Sequence, residues 1–71
     1  MRGEDVIEIE ATVIQSLSPA LFRVEIENGY RFLGFLAGNL RKASTRLSPG
    51  DRITVRVSPF DLSKGRIIGV L

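Results

Sequence analysis

At 71 residues the chain is near the lower limit at which one hydrophobic core supports itself. With no cysteine to staple it, closure of a sheet has to do that job. A balance of 44% hydrophobic to 25% charged residues belongs to a folded chain and leaves disorder only for the ends. Histidine is absent too, which excludes Cys/His metal sites, thiol nucleophiles and imidazole bases, and no apolar run approaches the roughly 20 residues that span a bilayer.

The opening Met1-Arg2-Gly3-Glu4-Asp5 lacks a signal peptide's apolar stretch, which predicts an unexported protein, cytoplasmic or in a plastid stroma, without membrane association. From Val6 to Gln15 the pattern alternates. Ile7, Ile9, Ala11 and Val13 share one face and Glu8, Glu10 and Thr12 the other, as in a half-buried strand. After a Ser18-Pro19 turn signal, a second strand turns Phe22, Val24 and Ile26 inward and Arg23, Glu25 and Glu27 outward. Asn28-Gly29 then reads as a type I′ hairpin turn.

The third strand, Tyr30 to Ala37, continues the inward set with Phe32, Gly34 and Leu36, but it also places Leu33 and Phe35 on the outer face. Gly34, mid-strand, suits the bend or bulge of a small barrel. Alternation stops between Gly38 and Pro49, where Asn39 to Ala43 suits one or two helical turns with Leu40 plugging the barrel end. Ser48-Pro49-Gly50-Asp51 is a turn. A fourth strand follows, with Ile53, Val55 and Val57 alternating against Arg52, Thr54 and Arg56 up to Pro59. Phe60 to Gly65 reads as a loop, with Lys64-Gly65-Arg66 as a hairpin turn flanked by two cations. Arg66 to Leu71 forms a fifth strand whose inward face the apolar run leaves unassigned. Three strands, a short helical connector and two more strands is the order of a five-stranded OB-fold barrel, all-β, occupying residues 1–71 as one domain. An SH3-like barrel is the rival, and the connector of about ten residues favours the OB order.

The net charge of +2 hides a partition. Residues 1–30 carry two arginines against six acids, and residues 31–71 carry eight cations against two acids. Such segregation orients a domain on a polyanion, unless the halves mix in space. The candidate nucleic-acid contacts are Arg41, Lys42 and Arg46 from the connector, Lys64 and Arg66 from the last hairpin, and Arg23 from the second strand. Arginine predominates, which suits bidentate phosphate contact and stacking on bases. Of the aromatics, Phe22 and Phe32 alternate into the core. Phe35 is the candidate for base stacking, with packing under the connector as its alternative, and Phe60 reads as a loop anchor. The paired acids Glu8/Glu10 and Glu25/Glu27 read as a solvated face rather than an acid–base dyad. The glycines form no GxGxxG or P-loop pattern, so nothing suggests an enzyme or a cofactor.

The stretch Gly50-Asp51-Arg52-Ile53-Thr54-Val55-Arg56-Val57-Ser58-Pro59-Phe60-Asp61-Leu62-Ser63-Lys64-Gly65-Arg66-Ile67-Ile68 resembles the signature end of bacterial and plastid translation initiation factor one. Phe22-Arg23-Val24-Glu25-Ile26-Glu27-Asn28-Gly29 and Gly38-Asn39-Leu40-Arg41-Lys42 match that family in order and spacing. The resemblance implies an S1-like OB barrel that binds the small (30S) ribosomal subunit at the decoding A site. It would contact 16S-type rRNA and a ribosomal protein, occlude premature tRNA, assist the other two initiation factors, and act as a monomer without catalysis. It implies basic contacts at Arg41, Arg46, Lys64 and Arg66, with Arg23 and Lys42 at further basic positions. The chain departs from the pattern at Asn39, where a lysine is usual, at Ser44, where an aromatic is usual, and in ending at Leu71 without a basic tail. Losing about two phosphate contacts would flatten the salt dependence of binding by almost two units. Two other functions share the barrel: a non-specific single-stranded RNA binder or chaperone of cold-shock or S1 type, and a protein-docking barrel using Leu33 and Phe35.

Overall fold

Residues 6–71 are described by the computed structural model of the protein, so the readings made for Arg2, Glu4, Asp5 and the opening segment lie outside the described residues. Alternating apolar residues build the strands β1 (Ile7–Ser18), β2 (Leu21–Glu25), β3 (Arg31–Leu36), β4 (Arg52–Ser58) and β5 (Asp61–Val70), with a short helix α1 (Gly38–Lys42) between β3 and β4. They close into a barrel in the order β1-β2-β3-β5-β4. Every neighbouring pair is antiparallel except β3 with β5, because the connector carries the chain across to β4 before β5 returns beside β3. This is the OB-fold, and closure removes the sheet edges that would otherwise invite pairing with other chains.

The core is what the period-two pattern leads one to expect except at Ile7, which shares a face with Ala11 and Val13 but lies exposed at the start of β1. Ala11 and Val13, Phe22 and Val24, Phe32 and Leu36, Ile53, Val55 and Val57, and Ile67 all point inward, and no polar or charged residue is buried among the described residues. Each large side chain contributes roughly 1.5–3 kcal/mol by leaving water. Leu47 from the connector joins the core, and Leu40, Ile9 and Ile26 pack against it.

Gly34 plays another part than the bulge expected of it. The β2–β3 register runs unbroken through Phe22↔Gly34, and the shifts occur in β1 and between β4 and β5. Gly34 instead faces Gly65 across the parallel pair. A Cβ on Gly65 would lie 2.6 Å from Val55 Cγ1 and 2.7 Å from Val57 Cγ1, and one on Gly34 would lie 3.1 Å from Ile67 Cγ1. The two glycines let the core valines and isoleucine fill the space that side chains on β3 and β5 would have taken.

The turns also differ from expectation. Only Gly29, at φ +91°, is left-handed in the β2–β3 hairpin, so the turn is not type I′. The Ile26 carbonyl accepts from Gly29 N–H at 2.9 Å and Ile26 N–H donates to the Tyr30 carbonyl at 3.0 Å. Asn28 Oδ1 accepts from Tyr30 N–H at 2.9 Å. This is a type I turn closed by a left-handed glycine, the usual three-residue alternative. The Ser48–Asp51 turn is as expected, with Gly50 at φ +99°. β1 runs three residues past Gln15, with register shifts against β2 between Val13 and Gln15 and between Ser16 and Ser18. β5 starts at Asp61, so the expected loop is largely strand. Lys64-Gly65-Arg66 is strand rather than a hairpin turn, Gly65 and Arg66 paired on both sides and Lys64 with Leu33 of β3, and the turn lies at Pro59-Phe60. Asp61 to Lys64 are all exposed, which erased the alternation that marks a strand.

Candidate nucleic-acid interface

Strand register decides which cations are free. Arg52 bonds Glu10 at 2.9 Å and Arg56 bonds Glu8 at 2.8 Å, both across β1–β4, while Arg31 bonds Glu25 at 3.0 Å across β2–β3. The acidic and basic halves of the sequence therefore mix in space, contrary to a clean segregation. Such exposed pairs stabilise by only about 0–1 kcal/mol each, but they neutralise three arginines. Arg23, Arg41, Lys42, Arg46, Lys64 and Arg66, the six candidates from the sequence, have no carboxylate within 4.0 Å among the described residues.

Three of the six lie on the outer face of β2, β3 and β5. One row across these strands reads Arg23–Leu33–Lys64 and the next reads Leu21–Phe35–Arg66. The cations are exposed, while Leu33 and Phe35 are half-buried between them. The Arg66 guanidinium carbon lies 5.7 Å from the centre of the Phe35 ring. Beyond Arg66 the same row continues to Arg56 and Glu8.

The other three come from the connector, which leaves β3 just beyond this second row, where Ala37 N–H donates to the Ile67 carbonyl at 2.9 Å. α1 ends on a Schellman motif: Thr45 N–H donates to the Leu40 carbonyl and Ser44 N–H to the Arg41 carbonyl, each at 3.1 Å. Ser44 takes the left-handed position usually given to glycine, at φ +56°. Sequence reasoning missed this cap because neither glycine nor asparagine marks it. The reversal brings Arg41 and Arg46 to one open groove between the connector and the β1–β2 turn. Its walls include Ser18, Pro19, Leu36 and Leu47. Lys42 is exposed on the last helical turn and does not line the groove.

Phe60 is 82% exposed and so is not the loop anchor expected of it. Ser58 Oγ holds its backbone N–H at 3.1 Å, but the ring projects from the hairpin tip. The neighbouring Tyr30 hydroxyl donates to the Leu62 carbonyl at 2.8 Å. Asp61 is held below the ordinary carboxylate range, chiefly by the Ser63 hydroxyl, then by the Ser63 N–H, with a smaller effect of Lys64. Among the described residues no three His, Cys, Asp or Glu side chains gather to hold a metal, and no helix is long and apolar enough to cross a membrane.

No family model matches the chain. Among solved structures it is similar to translation initiation factor one from the Wolbachia endosymbiont strain TRS of Brugia malayi. The TM-score is 0.76 with 34% identity, over 96% of this chain and 80% of that one. It is also similar to YjeQ from Thermotoga maritima, with a TM-score of 0.71 and 29% identity over 92% of this chain but 23% of that chain.

Proposed function

Because the chain belongs to the family of translation initiation factor one, we propose that it binds the small ribosomal subunit at the decoding A site. There it contacts rRNA and a ribosomal protein, keeps tRNA from entering early, and assists the other two initiation factors as a cytoplasmic or stromal monomer. Residues 1–71 act as a single domain, by binding and occlusion and with no chemical step. One observation supports this beyond the family likeness: the six cations without carboxylate partners among the described residues follow one another from the sheet face, through the Phe35–Arg66 row, to the connector. Unpaired guanidinium groups are available for charge-assisted bonds to phosphate oxygens. If all six engage, the logarithm of affinity falls with the logarithm of salt at a slope of roughly 4 to 5.

The test is equilibrium binding of labelled protein to purified small subunits, large subunits and a single-stranded RNA at fixed, near-physiological salt. One saturable site on small subunits alone, weakened by Arg41→Ala/Arg46→Ala, is expected. Equal affinity for all three would favour a non-specific RNA chaperone. Binding that ignores the double substitution but fails with Phe35→Ala would favour a protein-docking barrel.

A further inference from the structure

Arg66 differs from the other unpaired cations in having an aromatic neighbour built into the sheet. Its guanidinium carbon lies 5.7 Å from the Phe35 ring centre, and the two residues are register partners in the parallel β3–β5 pair. On its other side the register partner is Arg56, whose charge is met by Glu8 at 2.8 Å. Arg66 therefore stands between a ring face and an arginine that is already neutralised, with no carboxylate of its own among the described residues. Phe35 is half-buried and pairs with Leu21 of β2, so its ring is a firmer support than an exposed side chain would be. A guanidinium resting on such a face keeps its edge donors free and gives up less side-chain freedom when it meets an anion.

We propose that Phe35 is a positioning residue for Arg66: it does not itself stack on a base, but holds the guanidinium in the orientation in which that group meets RNA. The inference rests on the small-subunit RNA reading above and concerns how one contact of that site is set. It predicts that Phe35 and Arg66 act as a unit, so that replacing the ring costs part of what Arg66 contributes and nothing more once Arg66 is gone.

The experiment is a double-mutant cycle read as affinity for purified small subunits across a salt series, using wild type, Phe35→Leu, Phe35→Tyr, Arg66→Ala and Phe35→Leu/Arg66→Ala. Ring-current shifts of the Arg66 side-chain protons are followed by NMR in the free proteins. Phe35→Leu is expected to weaken binding about two- to fivefold, the range of an exposed cation–π contact, and to abolish the ring-current shift. Phe35→Tyr should keep both, and Phe35→Leu should cost nothing further in the Arg66→Ala background. Additive losses would overturn the proposal in favour of direct stacking by Phe35, and an unshifted Arg66 in the wild type would also overturn it. If the wild type fails to bind small subunits while the ring-current shift is present, the functional reading falls and the pairing of Phe35 with Arg66 stands.

Discussion

The barrel has two walls that use the same residue type in opposite ways. On the β1–β4 side, Arg52 and Arg56 are tied to Glu10 and Glu8 across the strands. On the β2–β3–β5 side only Arg31, at the hairpin end of β3, is tied to an acid, Glu25, while there and in the connector Arg23, Lys64, Arg66, Arg41, Lys42 and Arg46 are left without carboxylates among the described residues. A cation already paired offers little to a phosphate, since binding would first have to break the pair. What marks a polyanion-binding surface here is thus the lack of acids in register with the cations, rather than the number of cations. A net charge of +2 conceals this, because it counts every acid of the chain against every cation wherever each one lies.

The sharpest way to break the comparison is to remove two arginines from each wall in turn. Hydrogen bonds to charged groups contribute roughly 1.5–3 kcal/mol each. Arg41→Ala/Arg46→Ala should therefore cost about 3 kcal/mol or more of small-subunit binding, over a hundredfold. Arg52→Ala/Arg56→Ala should cost much less of the same affinity, because each of these charges is already met by a glutamate, and at most about 1 kcal/mol of folding stability per pair. Equal losses in equilibrium titrations would mean that the walls do not differ in function.

The seam between the walls is β5, and it depends on one position. Gly65→Ala would push a methyl against Val55 and Val57 at distances no real contact shows, whereas a Cβ at Gly69 meets nothing within 4 Å. Overpacking of this kind costs about 1–3 kcal/mol. Urea unfolding should place the Gly65→Ala midpoint well below that of the wild type and leave Gly69→Ala near it.

A smaller effect belongs to the connector, where Ser44 is the non-glycine residue with positive φ among those described. The left-handed penalty of roughly 1 kcal/mol exceeds the unfolded-state entropy that glycine adds. Ser44→Gly should therefore stabilise the fold by about 0.5 kcal/mol while leaving small-subunit affinity unchanged. A loss of affinity would show that the serine hydroxyl itself takes part in binding.

Legibility in the sequence followed burial. β1 to β4 each turn alternate apolar residues inward, so Ala11, Val13, Phe22, Val24, Ile53 and Val55 announced the barrel before any register was known. β5 did not, because only Gly65 and Ile67 of its ten residues are buried. The six candidate cations could be picked out, but separating them from Arg52 and Arg56 required partners more than forty positions away in the chain. The Arg41–Arg46 groove is likewise assembled from segments that no local pattern connects. Phe60 misled because an aromatic in a turn usually packs, and here the tip extends beyond the core.

The smallest effect tests why Asp61 does not neutralise the free wall although Lys64 is near. Its carboxylate is taken up locally, first by the Ser63 hydroxyl and then by the Ser63 N–H, with Lys64 the least of the stabilising influences. These contacts favour the charged form, so the folded pKa lies below the ordinary aspartate value. A lowered folded pKa adds stability that is fully present above the unfolded value and is lost as pH falls through the folded one. Carboxyl NMR titration should accordingly find Asp61 titrating below the ordinary aspartate range, and Ser63→Ala should move it upward. The stability gap between wild type and Ser63→Ala should be widest at neutral pH and narrow as Asp61 protonates. If Lys64→Ala raised the Asp61 midpoint more than Ser63→Ala did, Asp61 would be the partner of Lys64, and one cation would leave the free set.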